Sequence, residues 1–122
     1  MSKKPYNIEE RAFLFSLSVI RISEQLSLTQ TGKILCHQLV RAGTSIGANL
    51  EEATAAASKA DFTYKTNISL REARETTYWL RLIKESGIVS SPQLDELITE
   101  SQELAKILGS IVSKSRGKQK VQ

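Results

Sequence analysis

Two carboxylates one helical turn apart, Glu72 and Glu75 in "LREARETTYWLRLIKESG", are the residues whose types and spacing come nearest to chemistry. Side chains three apart on a helix share a face, so the pair has the layout of a general acid and a general base. Catalysis would also need a nucleophile, a cofactor loop or a second polar cluster, and none accompanies them. An ion-pair and hydrogen-bond network is the stronger reading. Both glutamates fall inside an apolar stripe of Tyr64, Ile68, Trp79, Leu82 and Ile83, where an unpaired charge is expensive to bury. Arg41, Asn49, Arg71 and Arg74 are the available partners, and the expected job is fixing helix register or a subunit contact.

Metal chemistry finds too few ligands. A di-metal centre in a helical bundle takes a glutamate from each of two helices and Glu-x-x-His from each of two more. This chain has one histidine, His37, with no glutamate three residues before it. No metal and no cofactor is expected. His37 is read as a surface residue and Cys36 as a small core hydrophobe, since no base is placed to activate its thiol. Tyr78 and Trp79 have rings that stack on bases, but Trp79, in phase with Ile68 and Leu82, reads as core.

The elements that must position these residues are helices. Asn7 caps a first helix from Ile8 to Leu26 or Leu28, with Glu10 three residues on. Thr29 or Thr31 caps a second, from about Gly32 to Ala57. Ser58 with Asp61 opens a third, which Gly87 stops after Ser86, and Ser91 before Pro92 opens a fourth that reaches about Ser113. In the fourth, Leu94, Leu97, Ile98, Leu104, Ala105, Leu108, Ile111 and Val112 recur at three- and four-residue steps around Ser101, leaving Glu96, Glu100, Glu103 and Lys106 outside. No segment alternates like a half-buried strand. Long helices on short connectors predict an all-α, antiparallel up-down-up-down four-helix bundle, one domain over residues 1–122, ordered over about 6–113.

The second helix carries the stretch "RAGTSIGANLEEA". Leu35, Leu39, Ala42, Gly43, Ile46, Leu50, Ala53 and Ala57 share its apolar face. Each glycine costs about 1 kcal/mol of helix propensity, so close packing must offset the loss. Gly43 and Gly47 therefore predict close approach of a neighbour, either the ring of Trp79 or a second subunit. Arg41, Ser45, Asn49 and Glu52 line the adjoining polar side and are expected to meet polar partners. On the first helix, Phe13, Leu14, Phe15, Leu17, Val19, Ile20 and Ile22 cover more than one face, which favours oligomerisation.

The formal charge is +4, but Lys3, Lys4, Lys114, Arg116, Lys118 and Lys120 are terminal, leaving 11 positives against 13 negatives in the body. The basic C-terminal tail 114–122 is read first as a solvated end and second as a phosphate-binding one, alongside exposed arginines such as Arg11, Arg21 and Arg81. A single cysteine, no apolar run long enough to span a bilayer and no signal-type N-terminus predict a soluble, unprocessed cytoplasmic chain away from membranes.

"LVRAGTSIGANLEEA" and "LREARETTYWLRLIKESG" together resemble the small four-helix-bundle proteins encoded by intervening sequences inside bacterial 23S ribosomal RNA genes, often labelled ribosomal-protein-like. The resemblance runs over about residues 6–112. It rests on Arg41, Thr44, Ser45, Ile46, Asn49 and Glu52, and on Glu72, Ala73, Glu75, Thr76, Trp79 and Leu80. It implies an antiparallel bundle assembled as a homopentameric ring, with a poorly defined biochemical role and no established catalytic activity. RNA, through the tail and the exposed arginines, or a nucleic-acid-processing protein is the candidate partner. A similar fold serves as the accessory variability protein of diversity-generating retroelements, a basic pentamer that works with a reverse transcriptase. The competing function is a structural or protein-binding assembly with no nucleic-acid role.

Overall fold

The computed structural model describes residues 7–120, with side chains through residue 117. Its four helices are α1 (Ile8–Leu26), α2 (Gln30–Thr54), α3 (Lys59–Ser86) and α4 (Pro92–Lys120), and the described residues contain no strand. Side-chain oxygens set the starts. Asn7 accepts from the amides of Glu9 and Glu10, Thr29 from Gly32, and Ser58 from Asp61. Gly87, in the left-handed conformation at φ 76°, ends α3.

Neighbouring helices run antiparallel, as their cross-contacts show. Arg41, Ile46 and Glu52 on α2 meet Glu75, Ser69 and Lys65 on α3 in reverse order. Thr63, Thr77 and Lys84 on α3 likewise meet Ser115, Ser101 and Asp95 on α4. The α1 and α4 pair closes the bundle through the thinnest of the four contacts. The core is Phe15, Val19, Ile22 and Leu26 of α1, Leu39, Ile46 and Leu50 of α2, Leu70, Leu80 and Ile83 of α3, and Leu94, Leu104, Leu108 and Val112 of α4.

Three expectations about the helices themselves change. The second helix begins and ends earlier than Gly32–Ala57. Thr29 caps it, and Ser58 must be extended, at φ −146° and ψ 163°, to cap α3, so Ala55–Ala57 leave the helix despite their propensity. The fourth helix passes Ser113 and continues to Lys120. Ser115 is buried against Thr63, and lysine and arginine suit the negative end of the helix dipole. Lys114 and Arg116 thus project from a helix, whereas Lys3, Lys4 and the side chains of Lys118 and Lys120 lie outside the described residues.

The third change is the buried face of α3. Of the expected stripe of Tyr64, Ile68, Trp79, Leu82 and Ile83, Ile83 is buried and Trp79 packs half-buried against the core, but Tyr64, 63 % exposed, and Leu82, 38 % exposed, do not face inward. Thr63, Thr66, Ser69, Leu70, Ala73, Thr76, Leu80 and Ile83 do. Their hydroxyls can be buried because each has an acceptor: Thr66 donates to the carbonyl of Phe62 at 2.8 Å and Thr76 to that of Glu72 at 2.7 Å. Ser69 instead donates across to the carbonyl of Ile46, at 2.7 Å. Thr77 and Ser101 pair at 2.6 Å between α3 and α4, so Ser101 joins a hydroxyl contact at the centre of the α4 stripe.

The glycines also find a different neighbour. A Cβ on Gly43 would lie 3.1 Å from both methyls of Val19, and one on Gly47 would lie 3.6 Å from the Cβ of Ala12. The close approach is therefore by α1. Trp79 is not among the atoms nearest either glycine; it is half-buried against the core and bonded to Glu75. Small residues at Ala12, Ser16, Gly43 and Gly47 let the two backbones come together, and the Ser16 hydroxyl bridges to the carbonyl of Gly43 at 3.4 Å.

Candidate functional site

One polar constellation joins α2 to α3. Arg41, projecting from the middle of α2, donates through Nη2 to Glu75 Oε2, and its Nη1 lies 3.5 Å from Glu72 Oε1. Its Nε and Nη2 also reach Oε1 of Gln38, at 3.2 and 3.0 Å, which braces the guanidinium from its own helix. Trp79 Nε1 donates to the same Glu75 oxygen at 2.8 Å, one turn along α3. Tyr78 packs edge-on against Trp79, with ring centres 5.2 Å apart.

Two donors therefore converge on Glu75. The indole N–H first, and then the guanidinium, hold its carboxyl below the usual value of 4.5 against the opposing effect of burial. Glu72 is the more enclosed of the two, 21 % exposed, and its Oε1 receives no hydrogen bond because Arg41 is directed at Glu75. The cluster keeps Glu75 ionised, the wrong form for a general acid near neutral pH and a weak one for a base. Its direct mechanical effect is to tie α2 to α3 at one height.

The other residues of the motif act locally. Ser45 donates to the carbonyl of Arg41 at 2.6 Å and Asn49 to that of Ser45 at 2.8 Å, so both bond to their own helix and neither reaches Glu72 or Glu75. Glu52 does cross, pairing with Lys65 Nζ at 2.7 Å and raising the lysine pKa. Arg71 and Arg74 point outward and take no part. With Ser69 to Ile46 between the two charged contacts, α2 and α3 share a three-rung ladder.

A second polar cluster is one that sequence phase alone does not disclose. Arg11, expected at the surface, is 13 % exposed and forked by two carboxylates of α4. Its Nε and Nη2 bond Glu100 at 2.6 and 2.9 Å, and Nη2 also bonds Glu103 at 2.5 Å, pushing the guanidinium pKa up. Glu100 and Glu103 thus face α1. The signal lay in adjacency: Arg11 precedes the fully buried Ala12, and Glu100 precedes the fully buried Ser101. His37 is exposed, while Cys36 is half-buried with Sγ 3.6 Å from the carbonyl of Ser23. Among the described residues no cluster of metal-ligating side chains forms, and no helix is long and apolar enough to cross a membrane.

No match was found among curated proteins. Among solved structures, the chain is similar to a protein of unknown function from the S23 ribosomal protein family of Bacteroides thetaiotaomicron. The two share 36 % identity and a TM-score of 0.81 over 87 % of this chain and 98 % of that one. The model of the family described as 23S rRNA-intervening sequence protein matches residues 4–110, nearly the whole bundle. On that match and that shared fold, the chain belongs to the 23S rRNA-intervening sequence protein family.

Proposed function

We propose that this protein is a non-enzymatic homo-oligomer, a pentameric ring of four-helix bundles, that binds RNA in the cytoplasm through weak contacts repeated around the ring. The observation that carries the assembly is the outer face of α1. Phe13 is 56 % exposed, Leu14 44 % and Ile20 45 %, with Leu17 between them, on the side of α1 opposite Phe15, Val19 and Ile22. A helix apolar on both sides is suited to two burials, and one chain provides only the first. In a ring this face meets a different face of the next copy, since cyclic assembly beyond two subunits is head-to-tail.

RNA binding is supported by the helical C-terminus, which presents Lys114 and Arg116 on a rigid rod, and by the ribosomal-protein label of the structural relative. A ring multiplies such contacts through effective concentration. The non-enzymatic reading is supported by the Arg41 cluster, whose most donor-rich carboxylate is already committed to two bonds. The body of 11 positive and 13 negative residues favours a second reading, a structural or protein-binding assembly, such as an accessory subunit to a reverse transcriptase, without RNA contact of its own.

Light scattering tests the assembly: a mass near five times 13.6 kDa is expected, and 13.6 kDa itself overturns it. Phe13→Glu with Ile20→Glu should lower the mass to one chain while keeping the helical circular dichroism. RNA affinity that falls steeply with salt separates the first reading from the second.

A further inference from the structure

The outer face of α3 carries charge and aromatic surface that neither the core nor the Arg41 cluster uses. Arg71, Arg74 and Arg81 are exposed there, interleaved with exposed Tyr64 and Tyr78. Among the described residues, none of these three arginines pairs with a carboxylate, in contrast to Arg11, Arg41, Lys65 and Lys84. Beside them runs a groove of about 330 Å³ between α3 and α4, lined by Arg74, Thr77, Gln102, Ala105 and Lys106, with two cations and no carboxylate. Glu75, one turn from Arg71, adjoins the face but is already bonded to Trp79 and Arg41, and at the end of the face stand Glu85, one turn beyond Arg81, and Asp95, paired with Lys84 at 2.6 Å. On α4, Glu96, Glu100 and Glu103 lie toward the opposite seam, where Arg11 meets the last two and Glu96 lines the groove against α1. The bundle is near neutral in sum but segregated in space.

We infer that the outer face of α3 and its groove against α4 form a binding surface for single-stranded RNA, with Arg71, Arg74, Arg81 and Lys106 on phosphates and Tyr64 and Tyr78 stacked on bases. It rests on the RNA-binding part of the function proposed above and gives that binding a place. Guanidinium groups match phosphate oxygens in a two-pronged fit, and Arg71 to Arg81 spans about 15 Å of helix, room for several phosphates in a row. Stacking on tyrosine requires bases free of a duplex, which selects a single strand over a helix. The edge-on contact with Trp79 holds the Tyr78 ring in place before any base arrives. An acidic protein would use the arginines but gain little from the rings. The exposed amide of Gln102 beside the groove can engage a 2′-hydroxyl, which favours RNA over DNA.

The test uses the full chain, a fluorescent oligouridylate of about 20 nucleotides, and anisotropy at about 50 and 200 mM salt. Arg71→Ala, Arg74→Ala and Arg81→Ala together should weaken binding at least tenfold and reduce the salt dependence by about two ions. Tyr64→Ala with Tyr78→Ala should weaken it about tenfold at unchanged salt dependence. All five side chains are exposed, and circular dichroism and light scattering check fold and mass. Wild-type affinity in both variants, with binding lost on deleting residues 114–122, overturns this surface and leaves RNA binding to the tail. No binding by the wild type at low salt overturns the RNA reading and the surface with it. Equal affinity for the matching deoxyribose strand overturns the choice of RNA. A changed mass in either variant makes the face an interface between copies, and also overturns it.

Discussion

Glu75 accepts hydrogen bonds from two donors of different kinds, an indole N–H on its own helix and a guanidinium on the next. Its folded pKa lies below the unfolded value, so the ionised form favours the fold. That contribution is complete above the ordinary value of 4.5 and is lost as pH falls through the lower folded value. The Tm difference between wild type and Glu75→Gln should therefore close as pH drops from about 7 to 3, and a gap constant across that range would refute the linkage. Trp79→Phe should move the Glu75 titration, followed by carboxyl NMR, back up toward 4.5, since the indole is the first cause of the shift. Pairing of Arg41 with Glu72 and Glu75 was legible because a carboxylate pair beside a core demands a cation. The fork around Arg11 was not, because periodicity gives a residue's angle on its own helix and says nothing of which neighbour closes over it.

Between elements, the α1 and α2 contact turns on two glycines in unequal space. A Cβ at position 43 would press at 3.1 Å on both methyls of Val19, which is fully buried and, being β-branched, has no second helical rotamer to turn to. A Cβ at position 47 would meet Ala12 at 3.6 Å, ordinary contact. Gly47→Ala should thus stabilise by up to about 1 kcal/mol of helix propensity, and Gly43→Ala should destabilise by about 1 kcal/mol despite the same gain. Urea denaturation reads both, and changes of the same sign would show that the two positions are equally spacious. Helix starts were legible from Asn7 and Ser58, and to within two residues at Thr29, because an N-cap is a local hydrogen bond. The α3 face was misread because hydropathy scores threonine as polar, whereas Thr63, Thr66 and Thr76 bury their methyls and return their hydroxyls to the preceding turn.

At the scale of the whole molecule, four long segments on short connectors were enough to fix a bundle, because few other arrangements bury four amphipathic stripes at once. The separation of charge was not legible from composition. A body near neutrality in sum divides into an arginine-bearing α3 side and a glutamate-bearing α4 edge only once the helices are placed. Stability is also a property of the whole, and here the hydroxyl-lined face of α3 has a practical consequence. Thr66 and Thr76 are fully buried, yet their hydroxyls serve only carbonyls that the helix already bonds. Thr66→Val and Thr76→Val should raise Tm by about 2 to 6 °C together, while Ser69→Ala, which cuts a bond to α2, should lower it by a few degrees. A calorimetric scan in which both threonine exchanges lower Tm would refute the distinction. The bundle thus holds unused thermal headroom, and a handful of aliphatic exchanges along one inner face would make it a hotter scaffold without touching its surface.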